Sequence, residues 1–283
     1  MKPIILCLMI IAASKAIPTN RLTNDDANLG DFPWIVALNI YVRMPWYEIT
    51  YHECGGVLVS KSWVLTSASC VKSNAVWNTV TEIYAGFVRQ NDPSRQSFTI
   101  SRIERHPGFN MNESRNPSFD DIALVKLDRD VELNENVKIV KLPEADADIT
   151  KNFTSAGWPY AAITRENQDI LQLRSVPFLD YKTCYDQVAA YVALGRTEPL
   201  DEAWDNIYLN ETQNICTGPK DAETAVFTKG YHGGPLVQDG VVYGVLSYTL
   251  NVYIYHKDFY EPSGVFINVF NYISWIKGIV DDL

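Results

Sequence analysis

The 283-residue chain has only five cysteines and four histidines, His52, His106, His232 and His256. No cysteine and histidine fall at the spacing of a zinc site, so neither a metal nor any other cofactor is expected. Basic charge is also scarce: 24 Lys and Arg stand against 34 Asp and Glu, a formal net charge of −10. That balance argues against nucleic acid and anionic lipid as partners. The most apolar run, residues 4–13, is about half the roughly 20 residues that a membrane span needs, so no membrane anchor is expected. Internal repeats, low-complexity tracts and Pro/Gly-rich linkers are absent as well, which leaves nothing to mark a domain boundary.

The short apolar run follows Lys2 and ends near the small residues Ser14 and Ala16, the pattern of a secretory signal peptide over residues 1–16. Its removal takes away two lysines and no acid, which moves the net charge from −10 to −12. Cys7 goes with it. Four cysteines then remain, Cys54, Cys70, Cys184 and Cys216, an even number that suits two disulfides in an oxidising compartment; spacing alone leaves three connectivities open. Three sequons, at Asn112, Asn152 and Asn210, agree with a secreted glycoprotein. Residues 17–283 read as one unit with a short N-terminal segment to about residue 21.

Runs rich in β-branched and aromatic residues recur at 34–42, 56–59, 63–66, 81–85, 122–127, 241–249 and 264–269, with turn formers between them. Such spacing predicts an all-β sandwich or barrel. A helical period shows in Tyr272, Ile273, Ile276, Ile279 and Val280, and a second helix is expected over 185–195, stopping at Gly195.

Four segments in order carry a resemblance: FPWIVAL at 32–38, CGGVLVSKSWVLTSASC at 54–70, DDIALVKL at 120–127 and GYHGGPLV at 230–237. Together they resemble the landmarks of chymotrypsin-like (trypsin-like, S1) serine proteases. The resemblance implies two packed six-stranded antiparallel β-barrels with a cleft between them and a C-terminal helix. It also implies the pairings Cys54–Cys70 and Cys184–Cys216.

At the position of the family's histidine, LTSASC puts Ser69. Asp121 stands at the aspartate position, and GYHGGP puts His232 where the serine nucleophile belongs. The triad chemistry needs an imidazole to take the serine's proton and a carboxylate to orient that imidazole. Read this way, the chain lacks both base and nucleophile and is expected not to be an enzyme. An alternative keeps the three residue types in permuted roles, His232 activating Ser69 beside Asp121, but the oxyanion donors of the fold surround His232 and not Ser69. Tyr231 replaces the aspartate that would pair with a new N-terminus after cleavage at Arg21–Leu22, so that activating ion pair is lost too. The former specificity cleft maps to Val226, Ser247, Tyr248 and Thr249.

These readings point to a secreted, monomeric, inactive protease homologue that binds another extracellular protein as cofactor or decoy. Aromatic-rich loops at 41–51 and 249–261 and the 31 residues between Cys184 and Cys216 are the candidate contact elements. A ligand carrier that uses the former cleft is the remaining alternative.

Overall fold

A computed structural model describes residues 24–44, 46–71, 79–110, 119–161, 166–167, 169–194, 209–218, 227, 230–249 and 263–283. The strands run β1 (Asn24–Asp26), β2 (Ile35–Met44), β3 (Tyr47–Leu58), β4 (Trp63–Thr66), β5 (Thr79–Ala85), β6 (Gln96–Arg105) and β7 (Ala123–Leu127). They continue with β8 (Phe153–Gly157), the small pair β9 (Tyr160–Ala161) and β10 (Glu166–Asn167), then β11 (Gln172–Val176). After helix α1 (Tyr181–Leu194) come β12 (Asn214–Thr217), β13 (Pro235–Gln238), β14 (Val241–Thr249) and β15 (Gly264–Asn268). A 3-10 turn, Val269–Tyr272, leads into the short helix α2 (Ile273–Lys277).

Strands β2-β3-β4-β7-β6-β5 close into a six-stranded antiparallel barrel. The second sheet has the order β1-β11-β8-β13-β14-β15-β12. A bridge between Phe178, just past β11, and Thr217 of β12 joins its two sides, so six strands form the second barrel and β1 is an added edge. This is the chymotrypsin-like architecture that the landmarks implied.

Why the central strands read as unbroken apolar runs follows from what covers them. On β2, Val36 and Leu38 point into the first barrel, while Ile35 and Ala37 point into the layer between the barrels. Residues 122–125 divide the same way: Ala123 and Val125 fill the barrel, Ile122 and Leu124 the layer between. A strand buried on both faces loses the polar half of its alternation. Tyr272, Ile276 and Val280, four residues apart, lay one stripe on that same layer and dock the C-terminus.

The second helix begins earlier than the periodicity suggested. Asp180 accepts the Thr183 amide at 3.0 Å and the Thr183 hydroxyl at 2.7 Å, a cap that starts the helix at Tyr181. Both disulfides form as the resemblance implied, Cys54–Cys70 and Cys184–Cys216.

Candidate functional site

Asp121, two residues ahead of β7, is wholly buried between the barrels. Its carboxylate accepts the Ser69 amide (2.7 Å), the Ser69 hydroxyl (2.9 Å) and the Ser247 hydroxyl (2.6 Å). Each donor has a local reason to be there. Ser69 sits in the single 3-10 turn Ala68–Cys70 that the Cys54–Cys70 disulfide ties to β3. Ser247 is the extra residue where the β14/β15 register slips between Leu246 and Tyr248, and such a bulge turns one side chain off the ladder. Among the described residues the groups that hold Asp121 are hydroxyls and main-chain N–H, with no ring nitrogen. Burial pushes its pKa up to about 6, against the pull of the Ser247 and Ser69 hydrogen bonds.

The turn 230–234 faces this group from the second barrel. The Gly230 carbonyl accepts from the Trp158 amide (3.2 Å) and lies 2.9 Å from His52 Nε2, while the His232 carbonyl accepts from the Gly55 amide (2.7 Å). Gly233 donates to the Leu246 carbonyl and Gly234 to the Tyr231 carbonyl, each at 2.8 Å. Only glycine fits at 230: φ is +104°, and a Cβ there would lie 1.9 Å from the Trp158 carbonyl oxygen.

His52, on β3, lies outside every site the motifs assigned. It is buried, with Nε2 on the Gly230 carbonyl and Nδ1 3.1 Å from the Asn39 carboxamide. A neutral imidazole donates through one nitrogen only. With Nε2–H given to Gly230, Nδ1 must accept, so the Asn39 carboxamide turns its NH2 to the ring, and the Gln90 carboxamide, 3.2 Å from Asn39, turns with it to offer its own NH2 to the Asn39 oxygen. Burial pulls the His52 pKa down to about 4, opposed by the Gly230 carbonyl. The ring is therefore neutral at physiological pH, and it clasps the two barrels together.

His232 is half-buried, and its ring lies within 4.8 Å of the sulfurs of Cys54 and Cys70. Those three groups would make a two-sulfur, one-nitrogen ligand set, but metal ligation needs thiolates and both sulfurs are committed to the disulfide.

Tyr231 is fully buried, and its hydroxyl oxygen accepts a 3.0 Å hydrogen bond from Arg174 Nε on β11. Phe227 is fully buried too, edge-on to Tyr231 and Phe266 with both centroids at 5.5 Å. Its ring packs on the backbone of Gly264, where any Cβ would come within 2.6 Å of it.

Of the residues that the motifs singled out, Ser69, Asp121 and Ser247 come together. Ser247 turns its hydroxyl to the buried carboxylate, so within the cleft set it also serves Asp121. Tyr248 is half-buried against the cluster of Leu179, Cys184 and Val188. Val226, Asn112 and the Arg21–Leu22 bond lie outside the described residues, as does the side chain of Thr249, whose backbone pairs with Gly264. Asn152 donates to the Ser175 hydroxyl (3.1 Å), and Asn210 accepts from the amide and hydroxyl of Thr212.

The trypsin family profile matches residues 22–276. The chain belongs to the trypsin family. It is 30% identical over 230 residues to Trypsin I-P1 of Gallus gallus, covering 80% of this chain and 79% of the relative. To Prostatic glandular kallikrein-6 of Rattus norvegicus it is 28% identical over 253 residues, covering 84% and 85%. The solved structure of neuropsin, a serine protease expressed in the limbic system of mouse brain, superposes with a TM-score of 0.64 at 22% identity, covering 90% of this chain and 97% of that one. The likeness to neuropsin is one of fold, and within the trypsin family the chain spans most of its relatives' length.

Proposed function

We propose that this trypsin-family chain is a secreted protease homologue without proteolytic activity, one that acts by binding another extracellular protein. The observation that carries the reading is the partnership of Asp121, a buried carboxylate whose donors are Ser69, Ser247 and main-chain amide. Serine-protease chemistry needs an imidazole there, to hold the proton that leaves the nucleophile. His52 does not supply it, because both its nitrogens are engaged elsewhere and its pKa is depressed. A base must accept a proton near the working pH.

Binding is supported by the β2–β3 hairpin, which holds Trp46 at 86% exposure with Ile49 and Tyr51 also exposed. Aromatic side chains of this kind anchor protein interfaces. Phe227, next in sequence to the assigned pocket residue Val226, speaks against the ligand-carrier alternative, since its ring is fully buried against Tyr231, Phe266 and the Gly264 backbone.

The test is labelling by a fluorophosphonate probe together with turnover of a mixed peptide library, before and after cutting at Arg21. Silence in both is the expected result, along with loss of captured partner in Trp46→Ala. Labelling that vanishes in Ser69→Ala would instead establish the permuted site.

A further inference from the structure

The contact between Tyr231 and Arg174 has a consequence of its own, independent of whether the chain is catalytic. A buried phenol must place its hydroxyl on a partner, and a guanidinium stays charged in any protein environment. Here Arg174 Nε donates to the Tyr231 oxygen at 3.0 Å, and the guanidinium carbon lies 5.8 Å from the ring centroid. Phe153, Phe227, Leu236 and Phe266 surround the same phenol in the core of the second barrel. The carbonyl of Tyr231 in turn accepts the Gly234 amide, so the side chain and the turn that carries it are one hydrogen-bonded unit.

Arg174 also pairs, through its backbone, with Asn24 at the start of β1. A new amino terminus made by cutting at Arg21–Leu22 would be tied two residues from Asn24, within about 7 Å by chain length alone. Its ammonium would approach from a strand that itself carries Asp25 and Asp26, and at the 230–234 turn the Arg174–Tyr231 pair offers it a permanent cation and a neutral phenol in place of a buried carboxylate. Bringing a second positive charge up to Arg174 is unfavourable, and more so where water is excluded.

We propose that the Arg174–Tyr231 pair holds the 230–234 turn from within the intact chain, so that cleavage at Arg21–Leu22 leaves the turn unchanged. The protein is then in its binding conformation as synthesised, and proteolysis near its N-terminus is no switch.

The experiment uses the full chain with a recognition sequence for a specific endoprotease placed just before Leu22, purified uncut and cut. Hydrogen exchange of the Gly233 and Gly234 amides is read against amides of β5 as an internal reference. Uncut and cut protein should agree within about twofold. Arg174→Met should speed exchange at both glycines by about tenfold in either form, the factor that loss of a charged hydrogen bond sets. If Arg174→Met does not fold, Tyr231→Phe, which keeps the ring and loses only the acceptor, gives the same reading. Slower exchange or a higher melting point after cutting would overturn the proposal, as would unchanged glycine exchange in the variants.

Discussion

Asp121→Asn should lose about 3 kcal/mol of folding stability as pH falls from 7 to 4, and His52→Gln should gain about as much over the same range. The two slopes come from opposite perturbations. His52 is held near 4 instead of 6.5, because its buried ring resists becoming charged. Above 6.5 the ring is neutral in both folded and unfolded chains; as pH falls toward 4 the unfolded chain alone takes up the proton, and stability drops. Asp121 is held near 6 instead of 3.8 by burial. Below 3.8 it is neutral in both states, and as pH rises through 6 the unfolded chain ionises first, so stability again drops, now in the other direction.

In the wild-type protein the two contributions nearly cancel between pH 4 and 6. Each variant removes one and exposes the other. Chemical denaturation at half-unit pH steps reads the slopes, and exposed carboxylates contribute alike to all three proteins. Parallel profiles for the two variants would mean that neither group is as desolvated as its surroundings indicate. The ionised Asp121 is thus retained at neutral pH at a cost to stability, with three hydrogen bonds from Ser69 and Ser247 as partial compensation.

What the sequence made legible divides along the range of the interactions. Trp63–Thr66 and Val241–Thr249 match their expected bounds, because strands buried on both faces show as apolar runs between turn formers. Gln96–Arg105 is not legible as a strand: QSFTISRIER mixes polar and apolar residues, and only Phe98 within it is buried. Local pattern also placed Ser69 beside Cys70 and Asp121 ahead of β7.

The partners of those residues were hidden. His52 reaches a carbonyl 178 residues further along the chain, and Arg174 reaches a phenol 57 residues away. No periodicity encodes such contacts; they follow from how the barrels face each other. Ser247 is the instructive case. Its position in the family pattern suggested the cleft, but a one-residue bulge decides where its hydroxyl points, and that slip has no signature in the residues themselves.

Phe227→Ala should destabilise the protein by about 3–5 kcal/mol, the usual cost of emptying a buried aromatic site that cannot collapse. Collapse is hindered here. Tyr231 is fixed by Arg174, Phe266 by its pairing with Leu246, and Gly264 brings backbone, not side chain, to the fourth side. Benzene or indole should therefore enter the space and restore part of the loss, since an apolar cavity of aromatic size stays dry and takes such ligands. At a ligand concentration 100 times its dissociation constant the gain would be about 2.7 kcal/mol. Thermal melts of both proteins with and without benzene make the measurement, and the wild type should not respond. A loss below about 1 kcal/mol, or a wild-type response equal to the variant's, would show that the ring is not a plug. The wild-type response would also return the ligand-carrier reading to favour, because a ligand-sized space would then be open beside Phe227 in the natural protein. With Phe227 in place, the space between Tyr231, Phe266 and Gly264 is filled by the chain itself.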